Sequence, residues 1–454
     1  MAPRTRPPLH VWLYGEHLGT LTSPSFQRLR FEPDDGVTRR WPLGSTVLSV
    51  ALPFNGRTPN GVPVRAFFEG LLPEGEARTV LEREFGVARG DSFGLLTELG
   101  RDCAGAVTLT PDDATPDDDA GHVEPMTDAD LVEAVFELSE RPLGASAEMR
   151  VSLAGQQDKL LLHRDDAGRF GRPVGGAATN VLLKPEPTNF PGYAANEAYC
   201  MRLARDVGLT TVNVEVLDVA GRPVLVVPRY DRAGGANGRA RRLHQEDLCQ
   251  ALAVDCALQD RKYERDGGPT LLQVAGVLDR HGLPGDRRRL LAYTTFHVVV
   301  GNADAHGKNV SLLHHPDGQA ELAPMYDVSS TVRYEFVETP TGRRRLSTEM
   351  GMRVNGQTSM QQVRFDDLVA EGRRWGLTAT DAETVVRRTV DDVHGAARST
   401  WQKLGAPDEE LVLVVEDRAK ALLGGLAAAS LTPQDVAKPS ARRAMRRELR
   451  SQLS

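Results

Sequence analysis

Gly301–Asn309 reads GNADAHGKN. Asp304 and Asn309 stand five positions apart in it, and the pair can divide one piece of chemistry. A carboxylate accepts the proton of a substrate hydroxyl, while an amide oxygen one short loop later turns toward a metal beside phosphates. Two common residue types at one spacing also arise by chance, as a polar loop held by its own side-chain hydrogen bonds. The neighbouring sequence therefore carries the decision. Downstream, Asn309–Leu313 predicts a strand, His314–Gly318 a turn and Glu321–Pro324 a return, leading to Met325-Tyr326-Asp327. Upstream, residues 245–300 have a helical pattern, with no Pro or Gly inside Gln245–Gln259.

Further out, the chain divides by composition. Residues 10–110 mix strands, predicted at His10–Leu13 and Ser45–Leu52, with helical stretches such as Glu76–Glu84, which makes a small α+β lobe. Pro111–Pro125, PDDATPDDDAGHVEP, holds five Asp with Pro and Gly and is predicted as a loop. Asp128–Glu140 has the amphipathic helix period. Residues 150–232 read as a strand-rich lobe with one helix, Ala194–Val207. Its strands are predicted at Val181–Lys184, Val212–Val216 and Val224–Val227, with a turn at Ala220-Gly221-Arg222. After about residue 360 the pattern is all helical, with Thr380 and Glu383 as a capping-box start. The expected domains are 1–110, 126–232 and 233–454.

The 454 residues carry 55 Lys+Arg against 62 Asp+Glu, a formal charge of −7, with 40% hydrophobic and 26% charged residues. That composition is globular, and its acidic total argues against a general nucleic-acid or membrane-surface binder. The longest apolar stretches, such as Leu411–Val415, are far too short to span a bilayer, and residues 1–16 lack a signal-peptide core. Four cysteines without a C-x-x-C pair fit neither a zinc site nor a disulfide framework. A cytoplasmic protein is expected.

The order of parts points to phosphoryl transfer. Protein kinases carry D-x-x-x-x-N in the catalytic loop, a hairpin, then a second metal-binding Asp. Asn309 and Asp327 would supply hard oxygen ligands suited to Mg²⁺. Kinases also place a phosphate-gripping Lys on a strand, paired with a Glu on the next helix; here Lys184 ends Asn180–Lys184 and Glu197 follows in AANEAYC. Ahead of it, SLAGQQDK (152–159) offers small residues at 152, 154 and 155 whose backbone N–H groups can approach a phosphate. It has only Gly155 of a G-x-G-x-x-G pattern, and a hairpin turn remains the alternative. Val227-Pro228-Arg229-Tyr230 falls where a hinge would contact adenine, although Pro228 has no N–H.

These residues resemble a known family. FFEGLLPEG (67–75), SFGLLTELGRDCAGAV (92–107), SLAGQQDKLLL (152–162), LLKPEP (182–187), NEAYCMRLA (196–204), VPRYDR (227–232), LHQEDLCQAL (243–252), GNADAHGKN (301–309) and MYDVSS (325–330) match, in order, HipA-type serine/threonine kinases. These are toxins of bacterial toxin–antitoxin modules. The resemblance implies an α+β, two-lobed protein-kinase-like fold with an N-terminal α+β subdomain and an all-helical C-terminal region. It implies ATP and Mg²⁺ as cofactors and a serine of a protein substrate, the best-known family target being glutamyl-tRNA synthetase. By position, Asp304 would be the catalytic base, Asn309 and Asp327 the metal ligands and Lys184 the phosphate holder. Ala154, Gly155, Gln156, Gln157, Asp158 and Lys159 would line the nucleotide, with His306, Gly307, Lys308 and Tyr326 beside it. Pro228, Arg229 and Tyr230 would form the hinge, where the family usually carries an acidic residue at the position of Pro228. Ser152 matches the family's autophosphorylated serine, and phosphorylation there would inactivate the enzyme. The implied partner is a helix-turn-helix antitoxin of HipB type, through which operator DNA would be bound.

Two further readings stand beside the active kinase. One is a catalytically silent co-repressor that only clasps the antitoxin, against which the intact Asp304, Asn309, Asp327 and Lys184 count. The other is a kinase of lipids or small molecules, disfavoured by the lack of a membrane-seeking segment. The run Lys438–Arg450, with six basic residues and one acidic, reads as a solvated helix face or as a phosphate contact in a repressor complex.

Overall fold

Alternating apolar residues in Leu9–Leu13 place that strand inside an antiparallel sheet, between Glu16–Ser25 and Val107–Thr110, with Arg28–Pro33 at the edge. The computed structural model describes residues 6–113, 115–116, 121–138, 143, 158–234, 240–256, 261–334, 336–339, 342–345 and 348–429. They fall into two compact units, one spanning Met1–Pro185, Leu217–Lys262 and Ser311–Ala323, the other Glu186–Val216, Tyr263–Val310 and Pro324–Ser454.

In the first unit the four-stranded sheet shares a core with the helices Val62–Glu69, Gly75–Glu84 and Ser92–Leu99, through Leu9, Val11, Phe31, Phe67, Phe68 and Leu95. A six-stranded sheet follows, in the order His122–Pro125, Phe170–Val174, Leu160–Arg164, Val181–Pro185, Arg222–Pro228, Glu215–Val219. The helix Asp128–Phe136 starts at a capping box of Thr127 and Asp130 and buries Val135 against Leu160, Leu162, Leu183 and Val226 of that sheet. A third sheet pairs His244–Asp247 with the hairpin Ser311–His314 and Ala320–Leu322.

Buried charge ties these pieces together. Arg229 donates to Asp231 at 2.7 Å, and Arg232 bridges Asp102 at 2.9 Å and Asp231 at 3.0 Å, with Arg242 also on Asp102. The Thr179 hydroxyl donates to Asp102 at 2.6 Å and accepts from Arg229 at 2.7 Å. Burial alone would raise the Asp102 pKa, yet the guanidinium groups of Arg242, Arg232 and Arg229 hold it well below the ordinary range.

The second unit is built around Asp286–Val300, a helix apolar on most faces and therefore enclosed by others. Leu271–His281, Phe365–Arg374, Ala379–Lys403 and Glu409–Leu423 all pack on it. Arg418, fully buried, donates to the Val298 carbonyl at 2.9 and 2.7 Å and to the Ala428 carbonyl. A guanidinium at the C-terminal end of a helix meets its negative pole. Burial lowers its pKa to about 9, so it remains a cation at neutral pH.

Several sequence expectations need correction. Ser45–Leu52 is not a strand: its backbone turns on itself, and Ser49 and Val50 bond the buried Glu246 at 2.6 and 2.8 Å. Gln245–Gln259 is not helical throughout. Gln245–Asp247 joins a sheet, and an Asp247–Gln250 capping box in mid-stretch opens a helix of only Leu248–Ala251. The strand expected at Val212–Val216 runs Glu215–Val219, because Thr210 draws the preceding residues away by accepting from Val212 N–H and donating to Met325 O. The last four residues of Pro111–Pro125 form an edge strand paired with Phe170–Val174. The long C-terminal helix starts at Ala379, capped by Thr378 on Asp381, two residues before the predicted cap. The run Lys438–Arg450 lies outside the described residues.

Two buried histidines set a pH dependence. His244 donates through Nε2 to Leu48 O at 2.7 Å, and burial together with neighbouring His314 lowers its pKa to about 3; burial lowers that of His297 to about 4. Both folded values lie below the unfolded one near 6.5, so the stability they confer is complete above that pH and declines as pH falls through the window. The urea midpoint is expected to drop between pH 7 and about pH 5.5, above the range where the paired carboxylates titrate. A flat midpoint over that interval would show that these imidazoles are not held neutral.

Candidate active site

The helix Asp286–Val300 ends where Gly301 takes a left-handed conformation, φ 75°. A side chain there would be strained, and its Cβ would lie 2.3 Å from Val332 Cγ2, so glycine is required. The chain then runs through a tightly fastened loop. Asn302 Nδ2 bonds His297 Nδ1 at 3.1 Å, and its Oδ1 accepts from Asp304 N–H at 3.0 Å. Ala303 N–H donates to Thr331 Oγ1 at 2.8 Å, and Ala303 O accepts from Gly351 N–H at 2.8 Å. Gly351 lies on the strand Glu349–Val354, where a Cβ would stand 2.7 Å from Ala305 O. The strand can approach this closely because it carries no side chain at that point.

Within this frame Asp304 is exposed, whereas Asn309 is only 8% exposed. Asn309 Nδ2 donates to the Asp304 carbonyl at 3.0 Å, and His306 N–H donates to the same oxygen at 2.9 Å. The amide's nitrogen is thereby committed to the loop. Gly307–Asn309 forms one 3₁₀ turn, with His306 buried. Tyr326 donates to Lys308 O at 2.7 Å, which draws Met325-Tyr326-Asp327 onto the loop. Asp327 is exposed and left-handed, φ 57°, a conformation that Asp tolerates better than most residues. Just beyond it, Asn196 of the helix Tyr193–Asp206 accepts from Ser330 N–H at 2.8 Å and donates to Ser330 O at 3.0 Å. Glu197, on the same helix, is buried. Asp304, His306, Lys308, Asn309, Tyr326 and Asp327 are thus gathered in the second unit. Tyr263, whose hydroxyl donates to Asp304 Oδ1 at 2.8 Å, belongs with them, although no motif or spacing in the sequence marks it.

The first unit holds the other predicted residues. Lys184 lies on Val181–Pro185, paired with Leu225, and is 7% exposed. Leu160 pairs with Leu183 on the opposite side, and extending that register by one residue sets Lys159, also 7% exposed, across from Lys184. Asp158 precedes it and is exposed. Pro228 closes the strand Arg222–Pro228, Arg229 N–H donates to Asn180 O at 2.9 Å, and the Arg229 side chain is taken up by the ion cluster. Tyr230 donates its hydroxyl to Gln245 Oε1. Ser152, Ala154, Gly155, Gln156 and Gln157 lie outside the described residues.

Comparison with known proteins matches this arrangement. The profile described as HipA-like C-terminal domain covers residues 151–401, and that of the HipA N-terminal domain covers 9–110. The chain belongs to the HipA family. The Sinorhizobium fredii protein Y4mE, described as a kinase, is 40% identical over 371 residues, 79% of this chain and 83% of that protein. The serine/threonine-protein kinase toxin HipA of Shewanella oneidensis is 29% identical over 318 residues, 66% of this chain and 70% of its own length. A chain from the solved S. oneidensis complex of HipA, HipB and operator DNA superposes with a TM-score of 0.76. That match covers 92% of this chain and 97% of that one at 23% identity, which establishes a shared fold. The mixed α+β architecture with a kinase-like arrangement is therefore the HipA fold. Among the described residues no helix is long and apolar enough to cross a membrane.

Proposed function

We propose that this HipA-family chain is an ATP- and Mg²⁺-dependent serine/threonine protein kinase and the toxin of a toxin–antitoxin module. The observation that carries the reading is the division of labour between Asp304 and Asn309. The exposed carboxylate stands on a loop whose backbone is internally bonded, and the Asn309 side chain is fixed five residues on by its nitrogen's bond to the Asp304 carbonyl. Relatives described as kinases add support.

In this reading Asp304 accepts the proton of the substrate serine. Asn309 and Asp327 hold Mg²⁺, a donor set of one amide and one carboxylate that this ion completes with phosphate oxygens and water. The bound Mg²⁺–ATP supplies the transferable phosphoryl group and neutralises its developing charge. Lys184 and Lys159, buried in one cross-strand register, grip the phosphates. Residues 154–158 line the nucleotide, with His306, Gly307, Lys308 and Tyr326 on the catalytic-loop side. The hinge is assigned to 228–230, where Pro228 has no N–H and that of Arg229 is already engaged, so adenine contacts fall to other groups there. Residues 1–110 form the N-terminal subdomain, 126–232 the nucleotide lobe and 233–454 the lobe with the catalytic loop. The partner is a helix-turn-helix antitoxin of HipB type that binds operator DNA, and the substrate is a translation protein of the glutamyl-tRNA synthetase kind. A silent co-repressor would need neither the exposed Asp304 nor the oriented Asn309.

Three outcomes are expected. Asp304→Asn keeps its melting midpoint and loses about 10²–10⁴-fold in transfer of labelled phosphate from ATP to protein in a host extract; a rate within about threefold of the parent sinks the base assignment. Asp327→Ala loses the magnesium dependence of ATP affinity in calorimetry, and a variant that retains it places the metal elsewhere. Incubation with Mg-ATP yields one phosphate on Ser152 and a form that binds ATP poorly, since about −1.5 to −2 charges then sit on the loop assigned to the triphosphate. Mass spectrometry showing Ser152 unmodified removes that inactivation step.

A further inference from the structure

The Tyr263 hydroxyl donates to Asp304 Oδ1 at 2.8 Å across 41 residues of chain. The contact is built, not incidental. The tyrosine ring stands edge-on to His306, centroids 5.0 Å apart at 88°, and the Arg265 guanidinium lies 4.4 Å from the ring centre. The Tyr263 carbonyl accepts from Asp266 N–H at 3.0 Å and Gly268 N–H at 2.8 Å, closing the 3₁₀ turn Glu264–Asp266 beside it. That turn is fastened to the strand Glu349–Val354: Glu264 accepts from Arg353 N–H at 2.7 Å, and Arg265 lies 3.7 Å from Glu349. The same strand holds the catalytic loop, through Gly351 N–H on Ala303 O. One strand therefore sets both the height of the phenol and the height of the carboxylate.

We infer that Tyr263 is a positioning residue for Asp304, an inference that rests on the reading of Asp304 as the general base. A carboxylate turns easily about its last torsion, which has broad, roughly two-fold preferences. Base catalysis needs an oxygen held within hydrogen-bond reach and in line with the departing proton. By engaging Oδ1, the phenol fixes the plane of the group and leaves Oδ2 as the oxygen presented to the substrate hydroxyl. A neutral donor suits this task. It uses one of about four lone-pair sites, whereas an ammonium or guanidinium would neutralise the charge that makes the carboxylate a base. The opposing idea, a phenol that blocks the place of the substrate hydroxyl, demands a rate change of the opposite sign.

The test is Tyr263→Phe in the full chain, which keeps the ring against His306 and removes only the hydroxyl oxygen. Asp304→Asn is run alongside, at a temperature where melting curves show all proteins folded. Initial rates of labelled phosphate transfer from ATP to extract protein are measured over a range of ATP concentrations. The maximal rate of Tyr263→Phe is expected to fall about 10–100-fold, the size of one hydrogen bond to a charged group, with the apparent KM for ATP unchanged within about twofold. A maximal rate equal to or above the parent, or a loss expressed in KM alone, overturns the inference while an inactive Asp304→Asn keeps the base assignment. An active Asp304→Asn instead removes the base assignment itself.

Discussion

Two guanidinium groups, Arg229 and Arg232, and two carboxylates, Asp102 and Asp231, occupy a space closed to water, with the partly exposed Arg242 at its edge. Each charge there is tolerable only because the others are present, and removing one partner of such a group typically costs about 3–5 kcal/mol. Asp102 belongs to the segment between the helix Ser92–Leu99 and the strand Val107–Thr110, and the arginines follow the strand Arg222–Pro228. The cluster also satisfies backbone: Arg229 and Arg232 both donate to Cys103 O, and Gly105 N–H donates to Asp231. The N-terminal sheet and the six-stranded sheet thus meet at a point with one workable arrangement. The side chains around the candidate hinge are committed to that arrangement.

The second unit solves a different problem, which is to expose two carboxylates on backbone bonded into place. Arg418 closes the end of the helix Asp286–Val300, Gly301 turns the chain, and Asn302, Ala303, His306 and Asn309 bond the loop to itself and its neighbours. Asp327 is brought alongside by Tyr326, in a conformation that costs of order 1–3 kcal/mol. Rigidity around an exposed polar pair is what electrostatic preorganisation requires.

Much of this was legible in the sequence, and for identifiable reasons. Asp304, Asn309 and Asp327 were singled out by their spacing around a hairpin, and all three lie in the second unit; Lys184 was singled out because an apolar run ends in a charge, and it lies on the strand Val181–Pro185. Strands and helices whose pattern is local, such as Leu9–Leu13, Gly75–Glu84 and Tyr193–Asp206, came within a residue or so of the observed bounds. Three of the misses share one cause. Ser45–Leu52 is apolar because Val47, Leu48 and Leu52 are core, but its backbone bonds go to local turns and to Glu246, nearly 200 residues on. Gln245–Asp247 is a strand because Ser311–His314 lies beside it, which no window on the local sequence contains. Tyr263 escaped notice for the same reason, since its partner is 41 residues away and its own neighbourhood carries no pattern.

The hairpin Ser311–Ala323 has a bearing on how the chain is made. Residues far earlier depend on it: Tyr14 donates to His314 O, Trp41 to Pro316 O, and the buried Glu246 bonds His314 at 2.9 Å. On a ribosome, all three wait for these partners until residue 323 has emerged. At about 5–20 residues per second, the 60-odd residues after Lys262 take several seconds. During that interval the N-terminal sheet can form, but the third sheet lacks two of its strands. The first unit therefore closes late in synthesis, after the Gly301–Asn309 loop has already left the exit tunnel, and a nascent chain stopped short of the hairpin would present an unpaired strand edge at His244–Asp247.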